Sequence, residues 1–163
     1  MSEIFDAGSL GQWIRRLTPE ERTLRLAAFY GILNGRALSV DELSLRLGFA
    51  VDRVQGYITD MVSRGLLVID EQETVVGSHG LSLIPTNHRL HVEGRNLFTW
   101  CAADAVGIPA ALGANAKIIS RCIQCNGHIE IVMNKGEIQY SSQEDVCIWV
   151  VEADLGQSIV GST

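Results

Sequence analysis

Two four-residue signatures, Thr18-Pro19-Glu20-Glu21 and Ser39-Val40-Asp41-Glu42, together with a change of hydrophobic period after Gly65, constrain this chain most. Each signature places a hydroxyl before a helix and a carboxylate three residues later. The two can then satisfy each other's orphan backbone donors. In the first, Pro19 occupies the opening helical position, where its missing N–H costs nothing. Helical spacing of Leu24, Ala27, Ala28 and Ile32 follows, and Asn34-Gly35 supplies a stop. The second opens a short helix carrying Leu43, Leu45 and Leu47 before Gly48. A third helix fits residues 51–64, with Val54, Ile58, Met61 and Val62 as its apolar stripe and Gly65 as its terminator.

Beyond Gly65 the period shortens. Leu66-Leu67-Val68-Ile69, Thr74-Val75-Val76 and Leu81-Ser82-Leu83-Ile84 are short β-rich runs divided by charged or glycine-containing turns. Three helices followed by such a wing predict a winged-helix-like module over residues 1–80. Residues 81–163 predict a small α+β domain, mixed or antiparallel in its sheet, with one apolar helix. That helix spans 101–112, and Gly107 and Pro109 predict a break or bend in it. Strands are expected at 116–120, 128–133 and 146–151, with turns at Asn126-Gly127 and Lys135-Gly136. Trp13 and Trp149 read as packing anchors.

The formal net charge is −6, and the third helix balances Asp52 and Asp60 against Arg53 and Arg64. A groove-reading helix carries an excess of basic groups, so nucleic acid is disfavoured as a partner. No apolar run approaches the roughly 20 residues of a membrane span, and no secretory signal is visible, so the expected compartment is the cytoplasm. There, Cys101, Cys122, Cys125 and Cys147 are expected to be buried, metal-binding or reactive rather than paired in disulfides.

Cys101 and Asp104 carry the chemistry. Three residues apart at a helix start, they share one face, so a thiolate and a proton-donating carboxyl address the same small substrate. Unpaired amides at the helix N-terminus are expected to lower the Cys101 pKa. An apolar surround of Phe98, Trp100, Ile108 and Leu112 is expected to favour neutral Asp104. Cys122-Ile123-Gln124-Cys125-Asn126-Gly127 is half of a zinc knuckle, for which Cys101, Cys147, His128 and His79 are the remaining candidate ligands. The same pair also reads as reduced turn cysteines, or as the source of a second reactive thiol. Cys147 reads as a small buried hydrophobe in its strand, and His88 and His91 as exposed or locally hydrogen-bonded.

The runs Gly80-Leu81-Ser82-Leu83, Leu97-Phe98-Thr99-Trp100-Cys101-Ala102-Ala103-Asp104, Ile108-Pro109-Ala110-Ala111-Leu112-Gly113 and Ala116-Lys117-Ile118 resemble the central block of the organomercurial (alkylmercury) lyases. The resemblance covers nearly the whole chain. It implies that Cys101 takes up an organomercurial through its mercury atom and that Asp104 manages the proton delivered to the leaving carbon. The implied reaction is protonolysis of R–Hg to R–H and Hg(II), with no cofactor required. Thiolate is the softest common side-chain donor, which suits mercury. The family uses a second catalytic cysteine beyond its last strands, in a segment this chain does not reach, which implies a truncated or divergent member. The alternative reading is a non-catalytic winged-helix metal-binding or regulatory protein whose cysteines hold Zn(II), Cu(I) or Hg(II).

Overall fold

The computed structural model describes residues 17–148, so Trp13 and Trp149 lie outside the described residues. Both capping boxes form. Thr18 Oγ1 accepts from the Glu21 backbone N–H at 3.2 Å while the Glu21 carboxylate accepts from Thr18 N, and helix α1 runs Pro19–Leu33. Ser39 and Glu42 repeat the exchange at the start of α2, Val40–Leu47, which ends on Gly48 in the left-handed conformation. Helix α3, Val51–Ser63, has no side-chain cap and relies on burial of Val54, Ile58 and Met61 along one face.

Strands β1 (Leu67–Ile69), β2 (Val75–Ser78), β3 (Leu81–Ser82), β4 (His88–Val92) and β5 (Arg95–Thr99) precede helix α4 (Ala102–Leu112). Strands β6 (Ala116–Arg121), β7 (His128–Asn134) and β8 (Glu137–Ser141) follow it. All eight join one antiparallel sheet in the order β1-β2-β3-β5-β4-β6-β7-β8. The fold is thus mixed α+β, with four helices among the described residues. The sheet passes without interruption through the β2–β3 pairing on either side of Gly80.

Three hairpins close through two-residue turns, His79-Gly80, Glu93-Gly94 and Lys135-Gly136, with positive φ at every turn residue. This backbone matches the right-handed strand twist. In β4 the burial alternates strictly, with His88, Leu90 and Val92 inward and Arg89 and His91 outward. Leu90 and Val92 join Leu97, Ala105, Ile108, Ile118, Ile131 and Met133 in a core continuous with Leu24, Ile32, Leu38 and Ile58 of the helical half. Leu38 ties the halves further, exchanging backbone hydrogen bonds with Val75 at 3.1 and 2.8 Å.

Three expectations are corrected. Helix α4 is uninterrupted through Gly107 and Pro109. Proline removes a single donor, and only one further turn follows it, so the helix loses one backbone bond and continues. Of the strand expected at 146–151, residues 149–151 lie outside the described residues and 146–148 form no strand, and Cys147 is exposed rather than buried. Among the described residues none pairs with 146–148. His88 is buried, and its Nδ1 lies 3.0 Å from Ser120 Oγ across the β4–β6 pairing.

Gly31 marks the tightest helical contact. A Cβ there would overlap the Leu38 side chain, which is fully buried. Gly31→Ala is expected to destabilise by about 1–3 kcal/mol through overpacking, partly offset by up to about 1 kcal/mol of helix propensity. Urea unfolding measures the net loss, and a stabilised variant would contradict the packing described.

Candidate functional site

The site forms where β5 passes into α4. Thr99 ends the strand, and its hydroxyl donates to the Cys101 carbonyl at 3.1 Å, while its own carbonyl accepts from Thr86 Oγ1 at 2.7 Å. Trp100 N–H donates to the Gly80 carbonyl at 2.8 Å. The chain is thereby fixed on both sides before Cys101, which is extended (φ −144, ψ 172) and serves as the N-cap of α4. Its sulfur accepts from the Asp104 backbone N–H at 3.4 Å and lies 3.0 Å from Asp104 Oδ2. Thiol and carboxyl therefore meet on one face of the first helical turn, as their spacing requires.

The floor comes from the helical half. Arg25 of α1 is 7% exposed, and its Nε donates to the Leu66 carbonyl at 3.2 Å. Ser78 Oγ donates to the Arg25 carbonyl at 2.9 Å and lies 3.0 Å from His79 Nδ1. Gly80, at φ +80, faces Asp104 so closely that a Cβ there would overlap the carboxylate. Arg25 escaped the sequence reading; His79 entered it only as a candidate zinc ligand, and Gly80 only as the start of the family-like run. The one available signal was the His79-Gly80 dipeptide as a tight-turn marker, which says nothing of the carboxylate above it.

Electrostatics correct one expectation and match another. The Cys101 thiol is pushed up to about 11, first by burial and then by the hydrogen bond and charge of Asp104; the backbone N–H groups of Asp104 and Ala103 oppose this without overcoming it. The helix terminus does not yield a standing thiolate here. Asp104 is itself raised, by burial, against the Cys101 hydrogen bonds and the charges of His88 and Arg25. The pair thus holds its proton on sulfur, donated toward the carboxylate.

His79 is pushed down to about 4 by burial and by the Arg25 charge. Its folded pKa lies below its unfolded value, so its contribution to stability is full above about 6.5 and declines as pH falls toward about 4. The loss approaches roughly 3 kcal/mol across that window. His79→Gln is expected to flatten this pH dependence in denaturant titrations. An unchanged slope would show that another group carries it.

Cys122 and Cys125 lie in the β6–β7 turn, the first half-buried and the second exposed. The zinc expectation finds no further ligands among the described residues. Among the described residues no group of three or more His, Cys, Asp or Glu side chains is placed to hold a metal, so neither His79, His128, Cys101 nor Cys147 completes a set with the pair. A tetrahedral zinc site needs four.

Residues 81–163 match the family model of the alkylmercury lyases (MerB). The chain is 35% identical over 128 residues to an alkylmercury lyase of Staphylococcus epidermidis, covering 78% of this chain and 57% of that protein. It is 36% identical over 106 residues to one from Pseudomonas putida, covering 64% and 48% respectively. A solved structure, the mercury-bound form of MerB2, superposes with a TM-score of 0.76 at 29% identity, covering 79% of this chain and 63% of that one. The chain spans about half the length of the curated relatives it matches. A helical half and an antiparallel sheet that converge on a half-buried Cys101–Asp104 pair, with the family model spanning that pair, place this chain in the alkylmercury lyase family.

Proposed function

We propose that the protein cleaves carbon–mercury bonds, with Cys101 as the mercury ligand and Asp104 as the proton donor. The observation that carries this reading is the 3.0 Å approach of the Cys101 sulfur to Asp104 Oδ2 in a half-buried setting. Mercury is substrate and product here, and no cofactor is called for.

The proton can be followed through the reaction. Cys101 enters as a thiol hydrogen-bonded to the carboxylate. When its sulfur bonds the mercury of R–Hg–X, the thiol proton passes to Asp104 and X⁻ departs. The raised pKa of Asp104 lets the carboxyl hold that proton rather than shed it to solvent. Asp104 then protonates the carbon as the carbon–mercury bond breaks, giving R–H, a carboxylate, and Hg(II) on the Cys101 sulfur. A second thiol, from the protein or from solution, takes the other position of the mercury ion, its proton passing to the Asp104 carboxylate; exchange with a further solution thiol then returns a proton to the Cys101 sulfur and releases Hg(II) as a dithiolate.

The three helices with the β1–β2 hairpin read as a winged-helix-like module over residues 1–80, followed by a lyase domain over 81–163. A structural role for the module is favoured by its third helix. There Arg53 is occupied by Glu20, Tyr57 and Phe49, and Arg64 by Glu21 and Asp60. These two arginines are thus engaged within the protein, which supports the reading that nucleic acid is not its partner. The proposed setting is the cytoplasm, where the described cysteines, all unpaired, would remain reduced. No described helix is long and apolar enough to cross a membrane.

The test is a headspace measurement of hydrocarbon from phenyl- or methylmercury in the presence of excess monothiol. Release above the rate with monothiol alone, matched by an equal amount of inorganic mercury, is expected. No release above that rate would overturn the reading.

A further inference from the structure

The Cys101–Asp104 pair leaves the Cys-x-x-Cys turn without a role. That turn closes the β6–β7 hairpin. Cys122 N–H donates to the Gly127 carbonyl at 2.9 Å, and Asn126 N–H donates to the Cys122 carbonyl at 2.8 Å, which curls residues 123–126 into a compact loop. Asn126 takes a positive φ of 57, and Gly127 lies so near Cys125 that a Cβ there would stand 3.2 Å from its sulfur. The Cys122 thiol pKa is lowered, first by the backbone N–H of Cys125, then by the backbone N–H of Gln124 and the Cys125 thiol. The two sulfurs are therefore neighbours on a turn that also stabilises one of them as thiolate, and both remain accessible to solvent.

Their place in the sheet matters as well. Strand β5 ends at Thr99, just before Cys101, and β4 begins at His88 beside it. Antiparallel pairing of His88 with Ser120 brings the end of β6, and with it Cys122, to the same end of the sheet. One strand separates β5 from β6, a lateral span of roughly 10 Å at ordinary strand spacing.

We propose that Cys122 and Cys125 form a second mercury site, a two-sulfur clasp for inorganic Hg(II). The choice of ion rests on the lyase reading, in which Hg(II) is released at the same end of the sheet. The donor set points the same way. Two thiolates fall short of the four ligands zinc requires, and no described side chain supplies the rest. A soft ion content with two sulfurs is satisfied by the pair alone. The exchange balances without an oxidant: Hg(SR)₂ and two protein thiols give the protein-bound S–Hg–S unit and two RSH. An organomercurial R–Hg⁺ has one open position, so it gains nothing from the second sulfur. The clasp therefore sorts product from substrate.

The experiment uses the reduced full chain carrying Cys101→Ser, which removes cleavage from the measurement and leaves the readout independent of whether the lyase reading holds. Mercuric chloride is added with excess glutathione, and protein-bound mercury is measured after desalting. One Hg(II) per chain is expected, retained when Cys147→Ser is added. Adding Cys122→Ser or Cys125→Ser is expected to lower the affinity by about a hundredfold, the advantage of an intramolecular second ligand. Phenylmercury in the same assay is expected to show no such dependence on having both cysteines. The clasp is refuted if Cys101→Ser retains no Hg(II), if loss of Cys125 leaves retention unchanged, or if phenylmercury depends on the pair as strongly as Hg(II) does.

Discussion

Cys101→Ser is expected to abolish hydrocarbon release from an organomercurial even though Cys122, Cys125 and Cys147 remain. Any accessible thiol can bind mercury, but cleavage also needs an acid at the carbon. Among the described cysteines only Cys101 has a carboxyl in hydrogen-bond contact, Asp104 at 3.0 Å. The expected loss is therefore at least that of a general acid, about 10²- to 10⁴-fold, with the loss of mercury ligation added to it. Headspace analysis reads the release, and peptide mapping of the mercury adduct reads where the metal sits. Release at the original rate from Cys101→Ser would show that another thiol performs the capture.

The second large effect is expected at Gly80, which touches no substrate in this account and acts by positioning Asp104. Alanine there meets two penalties. A non-glycine residue at φ +80 costs roughly 1–2 kcal/mol, and its Cβ overlaps the carboxylate it faces. The carboxyl must move, and Cys101 loses the partner that helps hold its thiol up at about 11. Gly80→Ala is expected to slow release by about a hundredfold, the usual result of misplacing a reacting group by about 1 Å. It is also expected to lower the Cys101 pKa toward its ordinary value, measured from the pH dependence of alkylation. Gly94→Ala supplies the control, because Gly94 has a similar φ of +76 in a matching turn with open space around it. It bears the backbone cost alone and should leave the thiol pKa unmoved. Pairing Gly80→Ala with Asp104→Ala should recover part of the lost stability, since the overlap is then relieved. Equal effects of Gly80→Ala and Gly94→Ala on the thiol pKa would remove the positioning role.

Local chemistry made much of this protein readable in advance. Thr18 with Glu21, and Ser39 with Glu42, announce helix starts because the groups that satisfy one another are three residues apart. Lys135-Gly136 announces its hairpin because few residue pairs accept two positive φ values in a row. The contact of Cys101 with Asp104 follows from helical geometry alone. Long-range contacts decide the rest. Insertion of β5 between β3 and β4 depends on pairings that no local pattern encodes. Strand β8 was not anticipated, although Glu137-Ile138-Gln139-Tyr140-Ser141 alternates polar and apolar residues; at the sheet edge its Ile138 and Tyr140 stay exposed. The direction of the Cys101 pKa was misjudged because the helix terminus is a local term, whereas the burial that outweighs it comes from elements folded over the site. Gly80 stood in the family-like run, but its contact with Asp104 was not legible, because that carboxylate arrives from a distant helix.

The central claim is that Asp104 delivers the proton that ends the carbon–mercury bond. It is tested most directly by loading the wild-type chain and Asp104→Ala with one equivalent of phenylmercury, confirming the adduct on Cys101, and following benzene release in a single turnover with excess monothiol. The account predicts that Asp104→Ala carries the adduct as fully as the wild type and releases benzene about 10²- to 10⁴-fold more slowly. Release at the wild-type rate from an adduct seated on Cys101 would contradict it.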